Sequence, residues 1–355
     1  MPSLRDFLRL FLLCFATYLL QLPANAEDEE ESPYAGLASG DVVTVALDQL
    51  LPTQAVLSYD WQYARLNRYQ NDPKLVFDDL CRANGAKSVK DWSKKSKPTK
   101  PDSYTCIDKT GQHEDALSTV VVGPEDGLLY LTSGHHQLST FWDMPNGGTS
   151  VPVMVKVTHN LIDSGDDFWA EMNQDHELWL YNFRGKKIAP DDLPEYLGKK
   201  QLKHDKYLSL VLFLNGISYK KPEDAIPFFE YHWAKEIRKH MKVSEYDLNI
   251  PDEYAAALTE AATVIVDLDE DAQVAKSKLS AKAMGQLNQV DSKALAALID
   301  TEDSDFNQAQ AYRQYLKEKS TPKRLLEKEK AAEKEKAEAL TEAVEEPSPA
   351  QDDKL

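Results

Sequence analysis

What the sequence has little of narrows the reading first. Of 355 residues only three are cysteine and 14 are glycine, too few for a disulfide-dense scaffold or a glycine-repeat fibre. Positive charge is scarce as well. Lys and Arg total 41 against 59 Asp and Glu, a formal net charge of -18. A protein this acidic repels a phosphate backbone unless a local basic groove overrides its field, so long nucleic acid is not an expected partner. The densest basic run of the first half, Lys87 to Lys100, shares the aperiodic Lys/Pro/Ser stretch Ser93 to Ser103 and reads as a solvated loop. No internal repeat is visible, and beyond Leu22 no apolar run is long enough to span a bilayer.

What is there begins with a distinct leader. Arg5 and Arg9 form a basic n-region, Phe11 to Leu22 an apolar h-region, and Ala24-Asn25-Ala26 an A-x-A cleavage site. That is the pattern of a signal peptide over residues 1–26. An uncleaved anchor is the alternative, but the stretch falls short of the roughly 18–20 apolar residues a span needs. The expectation is an exported protein, periplasmic or extracellular, with no membrane span after cleavage and a charge of -19 once those residues leave. Cys14 leaves with the leader. Cys81 and Cys106 can then form one disulfide, with two buried free thiols as the alternative.

Hydrophobic residues make up 42% of the chain, enough for a sizeable core. Val42 to Leu50 reads as a strand entering a turn at Leu51 to Gln54, and an aromatic-rich segment follows from Tyr59 to Tyr69. Asn71-Asp72-Pro73 opens a helix that Gly85 stops, with Val76, Phe77, Leu80 and Cys81 on one face. Thr119 to Val122 and Leu128 to Leu131 flank a five-residue turn, Gly123 to Gly127, as a hairpin. After His159 the pattern is helical: Phe168 to Met172, Tyr207 to Leu214, Pro227 to Met241, Asn249 to Val266 and Ala281 to Ile299. The expected class is α+β, with a mixed domain over 40–160, a helical part of the same unit over 161–245, and appended helices over 246–320. A charged tail, helical or disordered, occupies 321–355.

The stretch that organises the rest is Ser133-Gly134-His135-His136-Gln137. It follows the short apolar strand Leu128 to Leu131 and precedes Leu138, Phe141 and Trp142, which fall at helical spacing. Val151, Val153, Val155 and Val157 then alternate as a second strand. Two histidines thus sit where a strand turns into the first turn of a helix, where free N–H groups and the helix dipole favour an anion. Adjacent helical residues point about 100° apart, so the pair does not naturally chelate one metal, and metal binding, the minor alternative, would need H-x-x-x-H spacing or a distant third ligand. A structural role, with one imidazole capping and one in the core, and phosphate recognition with one as acid–base or donor both stay open.

The string Leu129 to Leu138, Leu-Tyr-Leu-Thr-Ser-Gly-His-His-Gln-Leu, resembles the core loop of the ParB/sulfiredoxin superfamily. It is most similar to the ParB-like nuclease group, whose loop is typically D-G-H-H. Pro52-Thr53-Gln54 resembles that group's first block. His204 to Leu210 and Pro227 to Ala234 resemble its later helical blocks, so the likeness runs from about 40 to 240. It implies a compact α+β fold whose loop cradles nucleotide phosphates: ParB binds CTP, sulfiredoxin uses ATP, and the archaeal free serine kinases transfer phosphate from a nucleotide.

Two positions depart from the pattern. Ser133 stands where the group has Asp, removing a carboxylate that could hold Mg²⁺ or act as a base. Gln137 stands where several relatives have Arg, removing a bidentate phosphate donor. His135 holds the place of the sulfiredoxin cysteine, which excludes sulfinic-acid repair by that route. The resemblance implies His135 and His136 as catalytic candidates and Ser133, Gly134 and Gln137 as the phosphate or nucleotide cradle. Gln54, Asp60, Glu230 and His232 are secondary candidates, and Tyr59, Trp61 and Tyr63 could stack on a base. The ligand expected is a nucleotide or small phosphorylated molecule, possible cofactors being Mg²⁺ and a nucleotide. The function that the resemblance implies is phosphoester hydrolysis or phosphotransfer, with non-catalytic binding on the same fold as the alternative.

Overall fold

The computed structural model describes residues 32–124 and 127–322. The leader, the middle of the 123–127 turn and the tail from 323 onward lie outside the described residues. Among the described residues no helix is long and apolar enough to cross a membrane.

Five strands form a mixed sheet: β1 (Val42–Ala46), β2 (Leu50–Pro52), β6 (Ser118–Val122), β7 (Leu129–Leu131) and β8 (Pro152–Asn160), in the order β1-β8-β6-β7-β2. The expected strand Val42 to Leu50 is divided by a 3-10 turn at Leu47–Gln49, which sends β2 to the opposite edge of the sheet. β6 and β7 pair antiparallel as the expected hairpin, while β2 runs parallel to β7 and both end beside the double-histidine loop. Two short strands, β4 (Val89–Asp91) and β5 (Thr105–Cys106), pair separately, and β3 (Val56–Leu57) pairs with β9 (Lys203–His204).

Strand alternation assigns the two faces. Val120, Val122, Leu129 and Leu131 join one core with α1 (Tyr59–Asn71), α2 (Lys74–Ala83) and α3 (His135–Asp143). Val121 and Tyr130 point the other way and meet Phe168 and Met172 of α4 (Phe168–Gln174). The aromatic-rich segment is thus α1, started by Ser58, whose Oγ accepts from the Trp61 amide. Cys81 and Cys106 are joined in a disulfide that ties α2 to β5, with Cα atoms 5.7 Å apart.

A second core is helical, built from α5 (Lys206–Phe213), α6 (Phe229–Ile237), α7 (Pro251–Asp267), α8 (Ser292–Asp300) and α9 (Asp305–Ser320). The helix expected from Ala281 to Ile299 is only its last part. Gly285 has φ +70, and Asp291 starts α8 by accepting from the Ala294 amide. α9 falls within the appended helices expected over 246–320, although the pattern placed no individual helix there. It returns across α1, where Tyr312 packs on Tyr63 and Asn67 donates to Gln308.

Candidate functional site

β7 delivers the chain to Gly134, which caps α3 from a left-handed backbone of φ +80. A Cβ there would lie 2.0 Å from Ser118 Oγ, so conformation and space both demand glycine. No side chain caps α3, and its first backbone bond runs from Leu138 N to Gly134 O. The amides of His135, His136 and Gln137 are therefore available at the helix start.

Both imidazoles are fixed by backbone amides of neighbouring elements. Thr53 N, just past β2, donates to His135 Nε2 at 3.2 Å, and Ser58 N donates to His136 Nε2 at 2.9 Å. A nitrogen that accepts carries no proton, so each neutral ring has its proton on Nδ1. Burial pushes His135 down to about 3, helped by the neighbouring His136, and pushes His136 down to about 4. Near neutral pH the pair offers two uncharged Nδ1–H donors.

These groups line a cavity of about 560 Å³ between the loop and α6. Ser133, Gly134, His135, His136 and Gln137 form one wall; Gln54, Trp61 and Tyr231 also face it. Gln54 Nε2 donates to Tyr231 Oη at 2.5 Å and to Val56 O at 2.7 Å, locking both side chains. Glu230 lines the cavity but is held by Lys221 Nζ at 2.8 Å. Two lining residues, His176 and Phe228, take left-handed φ values of +58 and +54, which strain a non-glycine residue.

The other candidates lie elsewhere. Asp60 is fully buried and is not among the cavity's lining residues; it is paired with Arg313 of α9 at 2.6 Å and with His204 at 3.4 Å. His232 packs edge-on against Trp179, its Nδ1 buried without a partner, and burial lowers it to about 4. Tyr59 stacks on His204 and Tyr63 lies against Tyr312, so of the three aromatics only Trp61 lines the cavity. Sequence reasoning missed Thr119, Thr132, Glu177 and Lys221, which line it too. Their elements were legible in part, but nothing in the spacing brought them to this loop.

The donor set does not suit a protein-held Mg²⁺. Serine replaces the loop carboxylate, Glu230 is committed to Lys221, and no metal-holding cluster of three His, Cys, Asp or Glu exists among the described residues.

The fold is a mixed α+β one in which the parallel β2 and β7 end at a glycine-capped helix start. The chain belongs to the family described as "Putative ParB-like nuclease", whose family model matches residues 43–239. Among solved structures it is similar to protein Atu1540 from Agrobacterium tumefaciens, at 21% identity over 64% of this chain and 93% of that one. The TM-score is 0.43, and nothing about the site follows from it. No curated protein matches the chain.

Proposed function

We propose that the cavity binds the phosphate group of a small phosphorylated molecule or nucleotide and processes its phosphoester. The observation that carries this reading is that both neutral histidines, their Nε2 atoms taken by Thr53 N and Ser58 N, line the cavity beside the uncapped start of α3. The imidazoles then orient and stabilise phosphoryl oxygens, and proton transfer near neutrality falls to another group, because neither ring is charged or has a free Nε2. Trp61 is placed for an organic moiety next to the phosphate.

A phosphotransferase using a nucleoside triphosphate has less support. Lys221 is the sole Lys or Arg among the lining residues, and it is already paired with Glu230. A non-catalytic binding module is the second reading, favoured by the loss of the loop carboxylate at Ser133 and by the commitment of both Nε2 atoms. The reading includes export. The disulfide supports an oxidising compartment, and cell fractionation with N-terminal sequencing, expected to start at Glu27, checks it.

The deciding experiment incubates the protein with phosphorylated small molecules, nucleotides and short DNA, with and without Mg²⁺, and follows turnover by phosphorus NMR. Turnover of a small phosphoester, lost in His135→Gln and His136→Gln variants that retain their circular dichroism, supports the enzyme. No turnover, with phosphate-dependent stabilisation of the wild type, selects the binding module. Neither turnover nor stabilisation by any phosphorylated ligand sinks both readings.

A further inference from the structure

A concentration of positive charge lies outside the cavity. From Lys87 to Lys109 the chain carries seven Lys and three Asp, a formal +4 on a protein of -18, and no Arg. All seven lysines are exposed, and no residue of this segment lines the cavity. Lys87 meets the Asp108 carboxylate at 3.3 Å. Lys90, Lys94, Lys95, Lys97, Lys100 and Lys109 pair with no carboxylate among the described residues.

A loop that serves solubility alone needs no internal order, and this one is cross-braced throughout. At its base β4 pairs with β5, the disulfide ties Cys106 to α2, and Asp78 of α2 accepts from the Val89 amide at 2.9 Å. At its tip Ser96 Oγ donates to Ser103 O at 2.6 Å. Ser103 Oγ accepts from the Lys97 amide at 2.8 Å and donates to Lys100 O at 2.6 Å, with Pro98 buried beneath. The backbone that carries the lysines is ordered before any partner arrives, which lowers the cost of binding one.

We propose that this loop docks the protein peripherally on the headgroups of a bilayer that carries anionic phospholipid. The partner must be anionic, because unpaired cations on a protein of opposite net charge leave an anion as the complementary surface. Lysine without arginine suits a diffuse field of phosphates, which asks for point charges and not for the forked geometry of a guanidinium. Ile107, beside Lys87 and Lys109, is 54% exposed, more than any other large hydrophobic side chain among the described residues. Its amide is fixed by Ser88 O at 3.0 Å, so an apolar side chain is held out among the cations, as an interfacial contact requires.

Two other anionic partners fit less well. Single-stranded nucleic acid wants aromatic rings to stack its bases, and both aromatics of the loop are turned onto the protein. Trp92 stacks on Phe77 at 5.6 Å between centroids, and Tyr104 packs on the same ring at 5.0 Å. A second copy of this chain would have to meet the loop with a different, acidic surface, since a two-fold contact sets lysine against lysine.

The test is co-sedimentation with vesicles of pure phosphatidylcholine and of phosphatidylcholine mixed with an equal part of phosphatidylglycerol. The wild type should sediment with the mixed vesicles alone at low ionic strength, and added salt should release it. Each lysine near such a surface is worth about fivefold in partition. The triple variant Lys94→Gln, Lys95→Gln and Lys97→Gln should therefore bind on the order of a hundredfold more weakly. A control with the same change of net charge at exposed lysines elsewhere, Lys186→Gln, Lys187→Gln and Lys293→Gln, should bind as the wild type does. Ile107→Ser should bind several-fold more weakly.

All these positions are exposed, and circular dichroism checks that each variant keeps its fold. Failure to sediment with the mixed vesicles, equal binding to the neutral ones, or an equal loss in the control overturns the proposal. Ile107→Ser at wild-type strength, or tighter binding to short DNA or polyphosphate than to vesicles, overturns it in favour of a soluble polyanion. A salt-sensitive dimer in sedimentation velocity that the loop variant abolishes overturns it in favour of a second copy.

Discussion

Replacing Arg313 with methionine leaves the Asp60 carboxylate fully buried and stripped of its main counter-charge. Arg313 Nε meets Asp60 Oδ1 at 2.6 Å, and the other carboxylate oxygen takes the Tyr254 hydroxyl at 2.9 Å and faces His204 at 3.4 Å. Burial by itself would raise the Asp60 carboxyl, but Arg313 and His204 outweigh it and hold it far below the usual carboxylate range. Breaking a buried pair from one side costs about 3–5 kcal/mol. For a chain of this size that is a fall of about 6–10 °C in Tm. The double variant Asp60→Asn with Arg313→Met should recover much of the loss, because neither partner is then left charged. Calorimetry of the three proteins is the assay. The sign with pH is also fixed. A carboxyl depressed in the folded state stabilises above its unfolded value of about 3.9 and loses that contribution only as pH falls below it. The wild-type advantage over the double variant should therefore be constant through neutrality and shrink only in strong acid. An Arg313→Met protein as stable as the wild type would refute the claim that α9 is clamped to α1 by this pair.

Three further outcomes follow from the geometry. Reducing the Cys81–Cys106 disulfide, or replacing both cysteines with serine, opens a loop with a sequence separation of 25 and should cost about 3 kcal/mol in urea unfolding. An unchanged midpoint would count against the bond. Gly134→Ala meets both a φ of +80 and Ser118 Oγ at 2.0 Å, and should lose about 1–3 kcal/mol by thermal denaturation together with phosphate binding. The buried neutral histidines bind protons more readily when unfolded. Their folded values of about 3 and about 4 make stability fall as pH drops from about 6.5, by roughly 1.4 kcal/mol per pH unit for each ring. A His136→Gln variant should show a shallower slope by urea denaturation, and an identical slope would contradict the neutral assignment.

The parts of this molecule legible in the sequence were those set by local pattern. The Thr119 to Leu131 hairpin, the valine alternation of β8 and the Gly134 break each follow from period or backbone chemistry, and all three are present. The α9 helix was not legible, because Asp305 to Ser320 is mostly polar and carries its contacts on a few residues such as Phe306, Tyr312 and Arg313. Long-range pairing hid the remainder of the site. Thr53 and Ser58 look like turn residues in sequence, and only the ends of β2 and the start of α1 bring their amides to the two Nε2 atoms. Glu177 and Lys221 lie in irregular connections between helices, where no periodicity marks a wall of a cavity.

The central claim is that His135 and His136 present neutral Nδ1–H donors to a phosphate at the start of α3. Nitrogen-15 NMR of the histidine side chains, with and without inorganic phosphate, tests it most directly. The account predicts that near neutral pH both rings carry the proton on Nδ1, that neither charges until well below about pH 5, and that phosphate shifts both Nδ1 resonances while leaving the Nε2 atoms bonded to Thr53 and Ser58. An imidazolium at neutral pH, a proton on Nε2, or Nδ1 resonances indifferent to saturating phosphate would contradict it.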